Sequence, residues 1–80
     1  MKRYFFHLRD GTDEILDREG VELLADAVAD AAVLAARDCM AADVKRGKLD
    51  LRYWIDVHDA DDNVVESIPF SDAVEIVRSP

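Results

Sequence analysis

The sequence predicts an α+β domain, a small antiparallel sheet in the order β-β-α-β-β-α with one long helix packed on one face. Three observations carry this. Residues 3–10 and 51–58 alternate in side-chain character, residues 26–46 are alanine-rich with helical periodicity, and Gly11, Gly20 and Gly47 punctuate the chain between such runs. Eighty residues hold a single domain over 1–80, since one domain typically takes about 100–150 residues. A hydrophobic content of 50% with clustered aromatics exceeds what a disordered segment carries. Cys39 is the one cysteine, so no disulfide can close within the chain.

In the first strand, Tyr4, Phe6 and Leu8 point one way and Phe5, His7 and Arg9 the other. Asp10-Gly11 marks a turn, and a shorter strand is expected around Glu14-Ile15-Leu16-Asp17, ended by Glu19-Gly20. The long helix is expected over 26–46, with Asp26 as N-cap, Lys45-Arg46 at the cation-favouring C-terminus and Gly47 as the left-handed stop. At about 100° per residue, Val28, Ala31, Ala32, Ala35, Cys39 and Ala42 form the stripe expected to face the sheet. Val33, Met40 and Val44 form a second strip, read as the edge of the core or as a contact for something else.

The third strand, 51–58, places Leu51, Tyr53, Ile55 and Val57 on one face and Arg52, Trp54, Asp56 and His58 on the other. Asp59-Ala60-Asp61-Asp62-Asn63 is a polar turn, and residues 64–70 resume as a strand that Pro69 confines to a sheet edge. Ser71 is placed to cap a last short helix over 72–77.

The balance of 10 Lys+Arg against 18 Asp+Glu gives a net charge of −8, divided −4 and −4 between residues 1–40 and 41–80. A uniformly negative surface repels phosphate backbones, so nucleic acid is not an expected partner. After Met1-Lys2-Arg3, the apolar run Tyr4-Phe5-Phe6 is broken at once by His7, Arg9 and Asp10. That is far short of the roughly 7–15 apolar residues of a leader, or the ~20 of a membrane span. Neither is expected, and a lone cysteine points to the cytosol.

One helix covers one face of a four-stranded sheet, which leaves Phe5, His7, Trp54 and His58 together on the other. Uncovered aromatics mark interfaces. The expected surface is therefore Phe5, His7, Trp54 and His58, with Met40 and Val44 as a secondary contact, serving a homodimer or a protein partner. The alternative cover is the C-terminal segment, with Val74 and Val77, folded across the same face.

Candidate chemistry is sparse. His7, His58 and Asp56 could converge as a metal- or ligand-binding set, since two imidazoles and a carboxylate suit zinc, but no dense ligand motif supports it. Asp59-x-Asp61-x-Asn63 begins like a calcium loop, yet Val64 and Phe70 stand where Gly and Glu are required. Cys39 reads as a buried, inert thiol. The three glycines are scattered, which excludes a phosphate loop, and no serine lies in a nucleophile elbow. The expectation is a protein that is not an enzyme and holds no cofactor.

The string Arg3-Tyr4-Phe5-Phe6-His7-Leu8-Arg9-Asp10-Gly11, followed by Asp17-Arg18-Glu19-Gly20-Val21-Glu22-Leu23, resembles a bacterial family of small proteins of unknown function. The likeness continues through Trp54-Ile55-Asp56-Val57-His58-Asp59 and Ile68-Pro69-Phe70-Ser71-Asp72-Ala73, covering nearly the whole chain. It departs at Asn63, where glycine is common in that turn; Asn tolerates the same left-handed backbone. The resemblance transfers no catalytic residue. In layout alone, the chain is also similar to the HicB-type antitoxin domain, a small RNase-H-like unit. That implies an acidic protein masking a basic partner. The sequence thus leads to a non-enzymatic cytosolic interaction or regulatory domain, expected to self-associate through its aromatic sheet face.

Overall fold

In the computed structural model, which describes residues 1–79, β1 (Lys2–Arg9) is the strand around which the sheet is organised. β2 (Glu14–Ile15) pairs its C-terminal end, Leu8 opposite Ile15, and β3 (Val21–Leu23) pairs its N-terminal end, Tyr4 opposite Val21. β4 (Trp54–His58) runs antiparallel beside residues 5–9, and β5 (Val64–Pro69) lies outside β4. The order is β2-β1-β4-β5, with β3 also on β1. The α+β class with an antiparallel sheet holds, but the chain has one strand more than expected. β3 spans three residues, too few for alternation to register.

The alternation of β1 and β4 sorts their side chains as expected. Tyr4, Ile55 and Val57 are buried against α1 (Val28–Lys45), with Phe6 and Leu8 packed beside them. The helix begins later than expected. Residues Ala25–Ala27 form a 3-10 turn closed by the Ala27 N–H on the Leu24 carbonyl, and Ala27, not Asp26, is the N-cap. The C-terminal stop is where glycine was expected. Gly47 has φ +82°, and the N–H groups of Gly47 and Lys48 donate to the carbonyls of Val44 and Asp43.

The helix is rotated relative to the expected stripe. Val28, Ala32, Ala36 and Met40, each four residues on from the last, are its buried positions, while Ala31, Ala35 and Cys39 are half-buried and Ala42 is exposed. The two small alanines let the helix approach the sheet closely. Met40, only 4% exposed, fills the core and is not the surface contact expected of it, whereas Val44 stays 57% exposed.

β4 starts at Trp54, three residues later than expected. The Asp50 carboxylate takes the Arg52 N–H at 3.0 Å and pairs with the Arg52 guanidinium at 2.7 Å. This local side-chain-to-backbone turn replaces ladder bonding. In the β4–β5 turn, Asp59 accepts the N–H groups of Asp61 and Asn63, both at 2.9 Å, as a polar turn should. The left-handed residue, however, is Asp62 (φ +65°), not Asn63. Pro69 ends β5 at the sheet edge and α2 (Phe70–Ala73) follows at once, so Ser71 lies inside that turn of helix and does not cap one over 72–77. Phe70 is buried, stacks on Tyr53 at a ring separation of 5.7 Å, and anchors α2 against α1, where Arg37 Nε donates to the Ala73 carbonyl at 2.7 Å. The C-terminal segment therefore packs on the helix side and does not cover the opposite face.

Candidate functional site

The face of the sheet away from α1 is not open. Between β2 and β3, residues 16–20 stand opposite Phe5, Phe6 and His7, five residues against three, and the backbone of this excursion reaches His7 on this face. Asp17 fixes the excursion. Its carboxylate accepts the N–H groups of Phe6 (3.1 Å), Gly20 (3.0 Å) and Glu19 (3.2 Å). Its own N–H donates to Nδ1 of His7 at 3.0 Å. Burial pushes the Asp17 carboxyl up, but those three N–H groups together with His7 outweigh it and hold the group below its ordinary value.

His7 and His58 meet beneath this cover, edge to face, with ring centres 4.7 Å apart. They are 8% and 9% exposed. His58 Nδ1 lies 2.7 Å from Asp62 Oδ1, while His58 Nε2 is buried without a partner. The sequence expectation that His7 and His58 share a face is met. The carboxylate that joins them is Asp62, contributed by the left-handed turn, and not Asp56. Asp56 stands opposite His7 in the ladder, but its side chain pairs with Arg9 Nε at 3.2 Å and accepts the Ser67 hydroxyl.

One ligand atom from each of His7, His58 and Asp62 lies within 4.8 Å of the others. The hydrogen bonds decide what this triad can do. His58 is arranged as a metal-ligating histidine is, donating Nδ1–H to a carboxylate and leaving the Nε2 lone pair free. His7 is arranged in the opposite sense. Its Nδ1 accepts a backbone N–H and so carries no proton, which leaves the proton of the neutral ring on Nε2. A nitrogen bearing that proton is a donor, not a ligand, so one prepared imidazole stands where a metal needs several. The cluster is built as two imidazoles packed edge to face, each tied through its Nδ1 to a different partner, Asp17 for His7 and Asp62 for His58. Burial, reinforced by His58 and Arg9, pushes the His7 pKa down from 6.5, against the pull of Asp17 and Asp62.

The remaining members of the expected interface divide. Phe5 and Trp54 are half-buried, Phe5 resting against Gly20 and Trp54 near Gly11 in the β1–β2 hairpin. The Cys39 thiol is half-buried, and burial together with Asp43 and Asp38 pushes its pKa up, which disfavours the thiolate.

Sequence reasoning missed a second surface. α1 leans over β4 and β5 and touches β1 less, so the inner face of β1 and its β2–β3 edge is left partly uncovered. The resulting groove is floored by Phe6 and Leu23 and walled by Val21 on one side and Ala31, Leu34 and Ala35 on the other. A second hollow further along the helix is lined by Leu8, Ile15, Cys39 and Ala42. Leu34 is 58% exposed and Ile15 68%. The charged groups on the groove are Asp17 and Asp38, while Asp43 and Arg46 on the second hollow pair with each other at 2.6 Å. The exposure of Leu34 on an otherwise amphipathic helix was the available signal.

Among the described residues no helix is long and apolar enough to cross a membrane. A family model described as "Domain of unknown function (DUF6894)" matches residues 3–71. No curated protein and no solved structure matches the chain.

Proposed function

Because the chain belongs to the DUF6894 family, whose description assigns no activity, we propose a function from geometry: a small non-enzymatic interaction domain that receives a protein segment in the groove between α1 and the β2–β3 edge. The observation that carries it is the incomplete cover of the sheet by α1, which leaves Ile15, Val21 and Leu34 exposed beside an apolar floor. The occupant we propose is an apolar-striped segment rich in Lys and Arg. Asp17 and Asp38 on the groove and a net charge of −8 favour such a partner and oppose a second copy of the same acidic chain. This reading keeps the interaction role expected from the sequence and moves its surface from the outer aromatic face, where His7 and His58 are buried, to the inner flank. A cytosolic setting suits a chain with one free thiol.

The test uses an amphipathic helical peptide of Leu and Lys, its Leu/Glu counterpart, and the full chain. The Leu/Lys peptide should bind and shift the backbone NMR signals of Val21, Leu34 and Ala35, and Leu34→Lys should weaken it at least tenfold. Val77→Lys, an equal charge change at an exposed position away from the groove, should leave it within twofold. Equal weakening by both variants, or equal binding of the Leu/Glu peptide, overturns the reading. A wild-type dimer in sedimentation that Leu34→Lys dissociates would make the occupant a second copy instead.

A further inference from the structure

We infer that His7 and Asp17 form a proton-operated latch: neutral His7 holds residues 16–20 on the sheet, and a proton on His7 Nδ1 releases them. The hydrogen bonding argues it directly. Nδ1 accepts the Asp17 N–H at 3.0 Å, and only an unprotonated ring nitrogen can accept. A protonated ring presents N–H at both nitrogens, so two donors would face each other across that distance. Either the ring turns or the segment lifts.

The segment has little else to resist release. Residues 16–20 take no part in the ladders of β2 or β3, and Leu16, Arg18 and Glu19 are exposed. Their other ties are the N–H groups gathered by the Asp17 carboxylate and the Arg3 guanidinium on the Glu19 carbonyl at 2.7 Å. The ring cannot turn freely either, because His58 packs edge-on against it.

The charges facing His7 come from every neighbouring element. Arg9 lies on the same strand, His58 and Asp56 on β4, Asp62 in the β4–β5 turn and Asp17 in the latched segment. Burial, His58 and Arg9 disfavour the imidazolium, while Asp17 and Asp62 favour it, and the first group prevails. The latch is therefore closed at neutral pH and opens only as pH falls through the folded-state pKa of His7, which is pushed down from the ordinary histidine value. Asp17 also lines the groove on the other side of the sheet edge, so release would loosen that wall. This last consequence rests on the docking reading above; the latch itself does not.

The experiment is NMR on the free full-length chain, with no peptide present. At pH 7.5 the His7 ring nitrogens should report the tautomer with the proton on Nε2. Between pH 7.5 and 4.5, after correction for intrinsic exchange, the Asp17 and Gly20 amides should lose at least tenfold in protection while amides of β4 keep theirs. His7→Asn, which retains an acceptor without titrating, should abolish the step, and His58→Gln should retain it. An Nδ1-protonated His7 at pH 7.5, protection that does not change with pH, or a step that survives His7→Asn would each overturn the latch. Should His7→Asn fail to fold, the wild-type tautomer and protection measurements decide alone.

Discussion

Gly20 passes so close to Tyr4 that a Cβ on the glycine would stand 2.8 Å from the Tyr4 carbonyl oxygen and 2.9 Å from the Phe5 ring. Its φ of +71° adds a second reason for glycine, since L-residues pay about 1–2 kcal/mol to adopt the left-handed region. The close approach is what lets the strand excursion return to β1 and pair as β3.

Gly20→Ala should accordingly destabilise the fold by about 3 kcal/mol or more, strain and steric clash together. Gly47→Ala separates the two effects, because Gly47 has φ +82° with open space around it. It should cost only about 1 kcal/mol. Urea midpoints of the two variants check this, and equal losses would mean that the contact with Tyr4 contributes nothing.

The Asp17 carboxylate accepts three backbone N–H groups that have no other acceptor in the ladder. Asp17→Ala leaves them unpaired and should lower stability by about 2–4 kcal/mol. For a domain of this size each kcal/mol corresponds to roughly 4–8 °C in Tm. Asp13→Ala in the neighbouring exposed hairpin serves as the comparison and should shift Tm little. Similar losses in both variants would remove Asp17 as the organising residue.

Much of this was legible in the residues, and the rest was hidden for identifiable reasons. Strict alternation in β1 and β4 announces which side chains meet α1, because a strand has only two faces. The rotation of α1 was not announced. Alanines lie all round the helix, so small residues alone do not distinguish the Ala31/Ala35/Cys39 side from the Val28/Ala32/Ala36/Met40 side. His7 and His58 share a face as their strand positions require, but Asp62 reaches His58 only through a left-handed residue and a register irregularity after Val57. The latch depends on a backbone N–H, which no residue type reveals. Its one sequence signal is Asp17-Arg18-Glu19-Gly20, an aspartate placed to gather N–H groups two and three residues on.

Acid should destabilise the chain in two separate stages. The folded-state pKa of His7 is depressed, so between its folded value and 6.5 the unfolded chain binds more protons than the native one. Stability should then fall as pH drops below about 6.5. The second stage belongs to carboxylates that are likewise held low. Backbone N–H groups do this for Asp10 and Asp59, and the Arg52 guanidinium holds Asp50 down to about 2. Their contribution is complete above the ordinary aspartate range and is lost as pH falls from that range through their lower folded-state values, along with that of Asp17. Urea midpoints across pH 7.5 to 2.5 should show both declines. His7→Asn should remove the first and leave the second; a first decline that persists in that variant would assign it elsewhere.

Met40 and Val44 lie one helical turn apart on α1, yet the core takes only the first. Met40 packs in the cluster that includes Ala36, Val57 and Phe70, while Val44 faces solvent. Met40→Ala removes a buried thioether chain and leaves a cavity that the rigid sheet beneath cannot fill, which should destabilise the protein by about 2–4 kcal/mol. Val44→Ser truncates a side chain that is more than half exposed and should cost less than about 1 kcal/mol. The denaturant slope should be unchanged in both, because neither alters the surface exposed on unfolding by much. Sedimentation at matched concentrations supplies the discriminating readout. A Met40→Ala protein of wild-type stability but altered association state would return Met40 to a surface and overturn the rotation of α1. Lost stability with unchanged association is the outcome that burial of Met40 requires.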